Sequence, residues 1–194
     1  MQLDKNTAVV DNDFTSHLVE SHLADERLVE VLNVVFNELN LSAVMHPLVY
    51  EKELEQDKNR VKLLFDNNVI CKAEFSDIFQ GDPGRKAYYI QLVRNLYFSL
   101  MGEALPVQGE NVLTYWARKK SLGEVHSFSM CLLCGCAIFL SDDEDARTLK
   151  RNLRRMTIGT VEVYSREEFI NKHMAEGETK FNRKERQSLT HVRS

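Results

Sequence analysis

Little in this chain is compositionally unusual, and the shortages are informative. Only 3 prolines and 8 glycines occur in 194 residues, which excludes collagen-like and Pro/Gly-rich disordered chains. No charge of one sign dominates: 25 basic against 29 acidic side chains leave a formal charge of −4. A globally cationic nucleic-acid binder is thereby excluded, while a locally basic stripe is not. Long hydrophobic runs are missing too. The longest, near Met130 to Leu140, is interrupted by Gly135 and ends at acids, and Met1 to Phe14 has no charged start followed by an apolar stretch. Neither a membrane span nor an export signal is expected. With no export signal, the 4 cysteines read as reduced thiols of a cytoplasmic protein.

What is present is ordinary globular material, 43% hydrophobic and 28% charged. At roughly 150 residues per domain, the length implies one domain, placed at 1–176. Thr7 to Val10 is a short β-branched run that ends in Asp11-Asn12-Asp13. After it, Phe14, Leu18, Leu28, Val31, Leu32 and Val35 recur at helical spacing. Pro47 suits the first turn of a helix running from Leu48 to Leu64. Phe75 to Gly84 reads as a loop, and Arg85 to Met101 as a helix. Ser121-Leu122-Gly123-Glu124 fits the Ser-x-x-Glu capping box of a buried helix that ends at Gly135. Cys136 to Leu140 is an apolar strand, Glu144 to Arg155 a basic helix, and Val161 to Tyr164 a last strand before a helix capped by Ser165 and Glu168. Short apolar strands separated by helices of about ten residues imply parallel pairing, because a parallel neighbour needs a crossover of that length. The fold class expected is therefore α/β. No internal repeat is visible, and 177–194 reads as a basic, mobile tail without an apolar face.

Two of these strands end in acids. Open parallel α/β sheets bind ligands at the carboxyl ends of their strands, so Asp11 and the Asp142-Asp143 pair are expected to meet there. Further acids at helix starts, Glu51 and Glu53 after Pro47 and Glu124 in the capping box, can be aimed at the same edge. Carboxylates gathered this closely repel one another unless a divalent cation neutralises them, and oxygen ligands favour Mg²⁺ or Mn²⁺. Each acid also has a purely structural reading. Asp11 or Asp13 can cap the following helix, Glu124 can close its capping box, and Glu51 and Glu53 can serve as helix-dipole partners. Asp142 to Asp145 can form a turn and helix start. The cysteines Cys131, Cys134 and Cys136 lie in an apolar helix and strand, where core packing is favoured over zinc. His17, His22 and His126 have no partner that the sequence names.

In order along the chain, Ala8-Val9-Val10-Asp11-Asn12-Asp13, Pro47 to Leu54 with Glu53-Leu54, Leu122-Gly123-Glu124-Val125-His126-Ser127, and Gly135 to Arg147 with Ser141-Asp142-Asp143 resemble the PIN-domain nuclease family. Ile158-Gly159-Thr160-Val161 is similar to that family's last strand. The resemblance covers about 7–65 and 112–170. It implies a three-layer α/β/α, Rossmann-like sandwich around a parallel sheet, with 66–111 as a helical insertion. It also implies metal-dependent phosphodiester hydrolysis, mostly of RNA, at three or four acids. Carried onto this sequence, Asp11, Glu53, Glu124 and Asp143 become the catalytic, metal-binding acids, with Asp142 a rival metal ligand to Asp143. Ser141 would orient the first acid, and Asp13 stands where the family usually has Asn. Mg²⁺ or Mn²⁺ is the implied cofactor. Many members are toxins of toxin–antitoxin pairs, so an antitoxin or other protein partner and a homodimer are expectations of the resemblance.

The substrate implied is RNA, with DNA left open. Arg147, Lys150 and Arg151 on the basic helix, with Lys119 and Lys120 ahead of Glu124, are candidates for backbone phosphate contacts, although a basic helix face is commonly just solvated. Two other readings compete. One is a catalytically silent PIN-like binding or scaffold protein, using the insertion and basic tail. The other is a Rossmann-like domain that handles a nucleotide, which the missing Gly-rich phosphate loop disfavours.

Overall fold

The structure is a computed structural model that describes residues 1–54, 59–117, 121–156, 160–173 and 182–190. Five parallel strands form its centre: β1 (Thr7–Val10), β2 (Ser42–Met45), β3 (Cys71–Lys72), β4 (Ile138–Leu140) and β5 (Glu162–Tyr164). Their spatial order is β3-β2-β1-β4-β5. Val9 pairs with Val44 on one side and Phe139 on the other, and Phe139 with Val163. Parallel strands covered on both faces read as continuous apolar runs, and β1 is buried at all four positions.

Alternation along the strands splits the core in two. Val9, Val44, Phe139 and Val163 face one layer of helices: α5 (Phe75–Phe79), α6 (Pro83–Met101), α7 (Leu122–Cys134) and α8 (Glu144–Met156). Ala8, Val10, Met45 and Leu140 face the other, formed by α1 (Asn12–Val19), α2 (Asp25–Glu38), α3 (Pro47–Lys52), α4 (Asn59–Asp66), α9 (Arg166–His173) and α10 (Arg183–Thr190). The result is a three-layer α/β/α, Rossmann-like sandwich: the alternation of short strands and helices predicts its α/β class and parallel sheet, and the resemblance implies its three layers. Among the described residues no helix is long and apolar enough to cross a membrane.

Several local expectations need correction. The helix beginning at Pro47 does not run to Leu64. It stops at Lys52, and Glu53 and Leu54 both bond back to the Val49 carbonyl. The stretch Phe75 to Gly84 is not all loop, because α5 forms there with Glu74 and Asp77 making a reciprocal capping box. Residues 66–111, expected as a helical insertion, supply the long helix α6, whose Tyr89, Val93 and Leu96 share one core with Val9 and Phe139, and also the edge strand β3. In the expected mobile tail, Arg183–Thr190 is helical. It buries Leu189 completely and pairs Glu185 with Arg27 at 2.6 Å. Ile158 and Gly159 lie outside the described residues, as do 174–181 and 191–194.

Candidate acidic site

Strand order reverses between β1 and β4. From β1 the chain moves outward through β2 and β3, then returns to the opposite side of β1 for β4 and β5. At such a switch point the connections leave in opposite directions and open a crevice at the carboxyl ends. Asp11 follows β1 directly, and its amide donates to the Leu140 carbonyl of β4 at 2.9 Å. Ser141 is fully buried, and its hydroxyl donates to Asp11 Oδ2 at 3.2 Å while accepting from the Asp143 amide at 3.1 Å. One hydroxyl thus ties the acid after β1 to the acid after β4. Asp11 also accepts from the Asn12 amide, and Asp143 Oδ1 accepts from the Asp145 amide at 2.7 Å. The capping roles of Asp11 and Asp143 therefore coexist with their convergence.

Glu53 and Glu124 come from the two flanking layers. Glu53 closes the C-terminal end of α3, while Glu124 lies in the first turn of α7. Their meeting point is Gly123. A β-carbon at that position would stand 2.6 Å from Glu53 Oε1 and 2.8 Å from Oε2. The missing side chain is what lets the Glu53 carboxylate lie against α7. The Ser121-x-x-Glu124 capping box does not form. Ser121 has φ 46 and makes no cap bond; its hydroxyl donates instead to Asp145 Oδ2 at 2.5 Å. Released from capping, Glu124 is 9% exposed, and its Oε2 is buried without a hydrogen-bond partner.

Electrostatics report the crowding. Burial first, then the neighbouring charges of Glu124, Asp13 and Glu53, hold the Asp11 carboxyl well above its ordinary range. Burial, with Asp13 and Asp143 alongside, raises Glu53 to about 7. Burial likewise raises Glu124 to about 8, with Glu53, Asp143 and Asp13 adding to it. Asp13 is also raised, by burial foremost, although it accepts from the Phe14 amide at 2.7 Å. Unbalanced carboxylates in a crevice are costly to ionise, and neighbouring cations would lower that cost. Asp11, Glu53, Glu124, Asp143 and Asp13 therefore form one electrostatic cluster.

Asp142 is differently engaged. Its Oδ2 lies 2.5 Å from His17 Nδ1 and its Oδ1 accepts from the Arg166 amide at 2.7 Å, so it joins α1 to α9, while its charge still acts on Asp13 of the cluster. The candidate phosphate contacts Arg147, Lys150 and Arg151 are paired with Glu168, Glu162 and Glu144 at 2.9, 2.5 and 3.0 Å. Lys119 and Lys120 lie outside the described residues. The thiols of Cys131, Cys134 and Cys136 are free, with Cys131 and Cys136 buried in the core.

An all-oxygen donor set of this kind suits a hard divalent cation, and the partnerless Glu124 Oε2 is the atom that most needs one. Among the described residues, however, no three acidic, imidazole or thiol groups are gathered closely enough to hold a metal as they stand. Sequence reasoning overlooked Gly123 as a site residue, although a glycine directly before Glu124 in a helix's first turn was a usable signal. It also offered no partner for His126. The structure pairs that ring with Tyr89, and Tyr89 in turn with His46. Compared with known proteins, the chain matches no family model, no curated protein and no solved structure.

Proposed function

We propose that this chain is a PIN-type, metal-dependent endonuclease that hydrolyses phosphodiester bonds, with RNA as the favoured substrate. The observation that carries this reading is the mutual electrostatic influence of Asp11, Glu53, Glu124 and Asp143, four acids from four separate stretches of chain, at the switch point of a parallel sheet. Asp11, Glu53, Glu124 and Asp143 would hold Mg²⁺ or Mn²⁺. A bound divalent ion supplies an activated water and stabilises charge on the phosphoryl and leaving oxygens. The chain's own part is to hold the acids. Ser141 fixes Asp11 by donating to it, Asp143 is fixed by the Asp145 amide, and Gly123 makes room for Glu53. Burial raises Glu53 to about 7 and Glu124 to about 8, so cation binding at these two carboxyls near neutral pH would release protons.

The test is cleavage of a mixed single-stranded and structured RNA pool in Mn²⁺, Mg²⁺ or EDTA by wild type, Asp11→Asn and Asp143→Asn. Cleavage that requires metal and is lost by at least about 100-fold in both variants is expected, given the size of effects on metal-dependent chemistry. Absent cleavage together with absent stabilisation by Mn²⁺ would sink the reading and favour a silent binding or scaffold protein on the same fold.

A further inference from the structure

His46, Tyr89 and His126 form a buried polar chain that the proposed chemistry does not use. His46 and His126 are 0% exposed, as is Tyr89. The Tyr89 hydroxyl lies 2.8 Å from His46 Nε2 and 2.8 Å from His126 Nδ1, with the His126 carbonyl at 3.4 Å. The protons can be assigned around this chain. The Leu48 amide donates to His46 Nδ1 at 3.2 Å, so that nitrogen carries no hydrogen. Burial holds His46 neutral, which places its one proton on Nε2, donating to Tyr89. The tyrosine's hydroxyl then donates to His126 Nδ1, which leaves the proton of that ring on Nε2, buried without a hydrogen-bond partner. Each contact is satisfied in one direction only.

The three rings come from separate elements, and two of these carry the glutamates. His46 is the residue that caps α3, whose other end is Glu53. At about 1.5 Å per residue, the seven steps from His46 to Glu53 place Glu53 roughly 10 Å along the helix from that cap. His126 sits two positions after Glu124 in α7. Tyr89 comes from α6, in the stretch between the two halves of the acidic site. Its ring lies nearly coplanar with that of His46, with centroids 6.2 Å apart and planes 4° from parallel, as an in-plane hydrogen bond requires.

We propose that Tyr89 is a positioning residue: its hydroxyl locks the root of α3 to α7 and thereby sets the placement of Glu53 against Gly123 and Glu124. The inference rests on the acidic-site reading for its functional meaning, but the positioning itself is a property of the metal-free protein. It gives α6 a role beyond filling the core. Without the hydroxyl, His46 Nε2 and His126 Nδ1 are left buried and unpartnered, and α3 and α7 lose the polar bridge that this ring makes between them.

Tyr89→Phe tests this, with Tyr97→Phe as control. Tyr97 is 1% exposed on the same helix and donates its hydroxyl to Glu103 instead, at 3.2 Å. In ¹H–¹⁵N spectra of the metal-free proteins, the amide signals of Glu53 and Gly123 should move in Tyr89→Phe and stay in place in Tyr97→Phe. Mn²⁺ affinity, read by the paramagnetic signal of free Mn²⁺, should fall about 10-fold or more in Tyr89→Phe alone, the range seen when outer-shell partners are removed. Unmoved Glu53 and Gly123 signals would overturn the proposal, as would moved signals with wild-type Mn²⁺ affinity. Should wild type itself bind no Mn²⁺, the acidic-site reading falls, and the spectra alone still decide whether Tyr89 sets the spacing.

Discussion

At the residue scale, the raised carboxyls fix the sign of a pH effect. Glu53 and Glu124 titrate in the fold at about 7 and about 8, against an ordinary value of 4.5. The folded chain holds those protons more tightly than the unfolded chain does. The stability they contribute is therefore fully present below about 4.5 and is lost as pH rises through about 7 and about 8. Between about pH 7 and 8.5 the other buried groups do not reverse this. His46 and His126, held neutral by burial, oppose the fall only at the lower edge, where the unfolded imidazoles finish losing their protons, and the buried thiols of Cys131 and Cys136, raised by burial, add to it at the upper edge. Metal-free protein in EDTA should thus show a falling Tm across that window. Glu124→Gln, which cannot ionise, should flatten the fall and exceed wild type near pH 8. Because protons and cations compete for the same oxygens, Mn²⁺ should raise Tm more at pH 8 than at pH 6.5. A wild-type Tm that stays flat in EDTA would mean that the acids ionise freely and are not crowded.

At the scale of elements, Gly123 separates what the fold needs from what the site needs. It lies inside α7 with no strained backbone, where alanine is ordinarily favoured over glycine by about 0.5–1 kcal/mol. Yet its β-carbon would overlap the Glu53 carboxylate at 2.6 Å. The obstructing atoms are the far end of a flexible side chain, so the fold can yield by moving Glu53. Gly123→Ala should keep or slightly raise Tm while lowering Mn²⁺ affinity, measured on the same preparation; an unchanged affinity would remove Glu53 from the site. The same element shows what the sequence could and could not reveal. Its stop at Gly135 was legible, because a left-handed residue with φ 72 favours glycine. Its start directly after Ser121 was legible as well, but the capping bond was not: Ser121 spends its hydroxyl on Asp145, 24 positions away, and no local pattern encodes that choice. β1, β4 and β5 were legible as apolar runs. β2 was missed because Ser42 to Met45 is strand only by virtue of its neighbours β1 and β3. The acids after β1 and β4 could be picked out, since strand-end position alone nominates them. The resemblance already put Asp143 ahead of Asp142; the bonds that His17 and Arg166 make to Asp142 could not be read from the sequence.

At the scale of the whole molecule, the acidic crevice and the far end of the chain are connected through α9. The Arg166 amide holds Asp142 beside the crevice, while its guanidinium bonds the His17 carbonyl at 3.1 Å and the Thr190 carbonyl of α10 at 3.0 Å. α10 in turn buries Leu189 in the core that also contains Phe14, Leu28 and Phe169. A chain ending at residue 176 therefore loses one fully buried leucine, the Arg27–Glu185 pair and one partner of Arg166. The leucine alone accounts for about 1.5–3 kcal/mol, so the urea midpoint should drop clearly. The four clustered acids, by contrast, are held by Ser141, the Asp145 amide, Gly123 and the cap of α3, through bonds and contacts that run to other elements than α10. Mn²⁺ affinity in the shortened chain should stay within about twofold of wild type, since sites without shared partners behave additively. Loss of both together would mean that Arg166 and Asp142 carry α10's docking into the crevice, and that the acidic site spans the two helical layers as one unit.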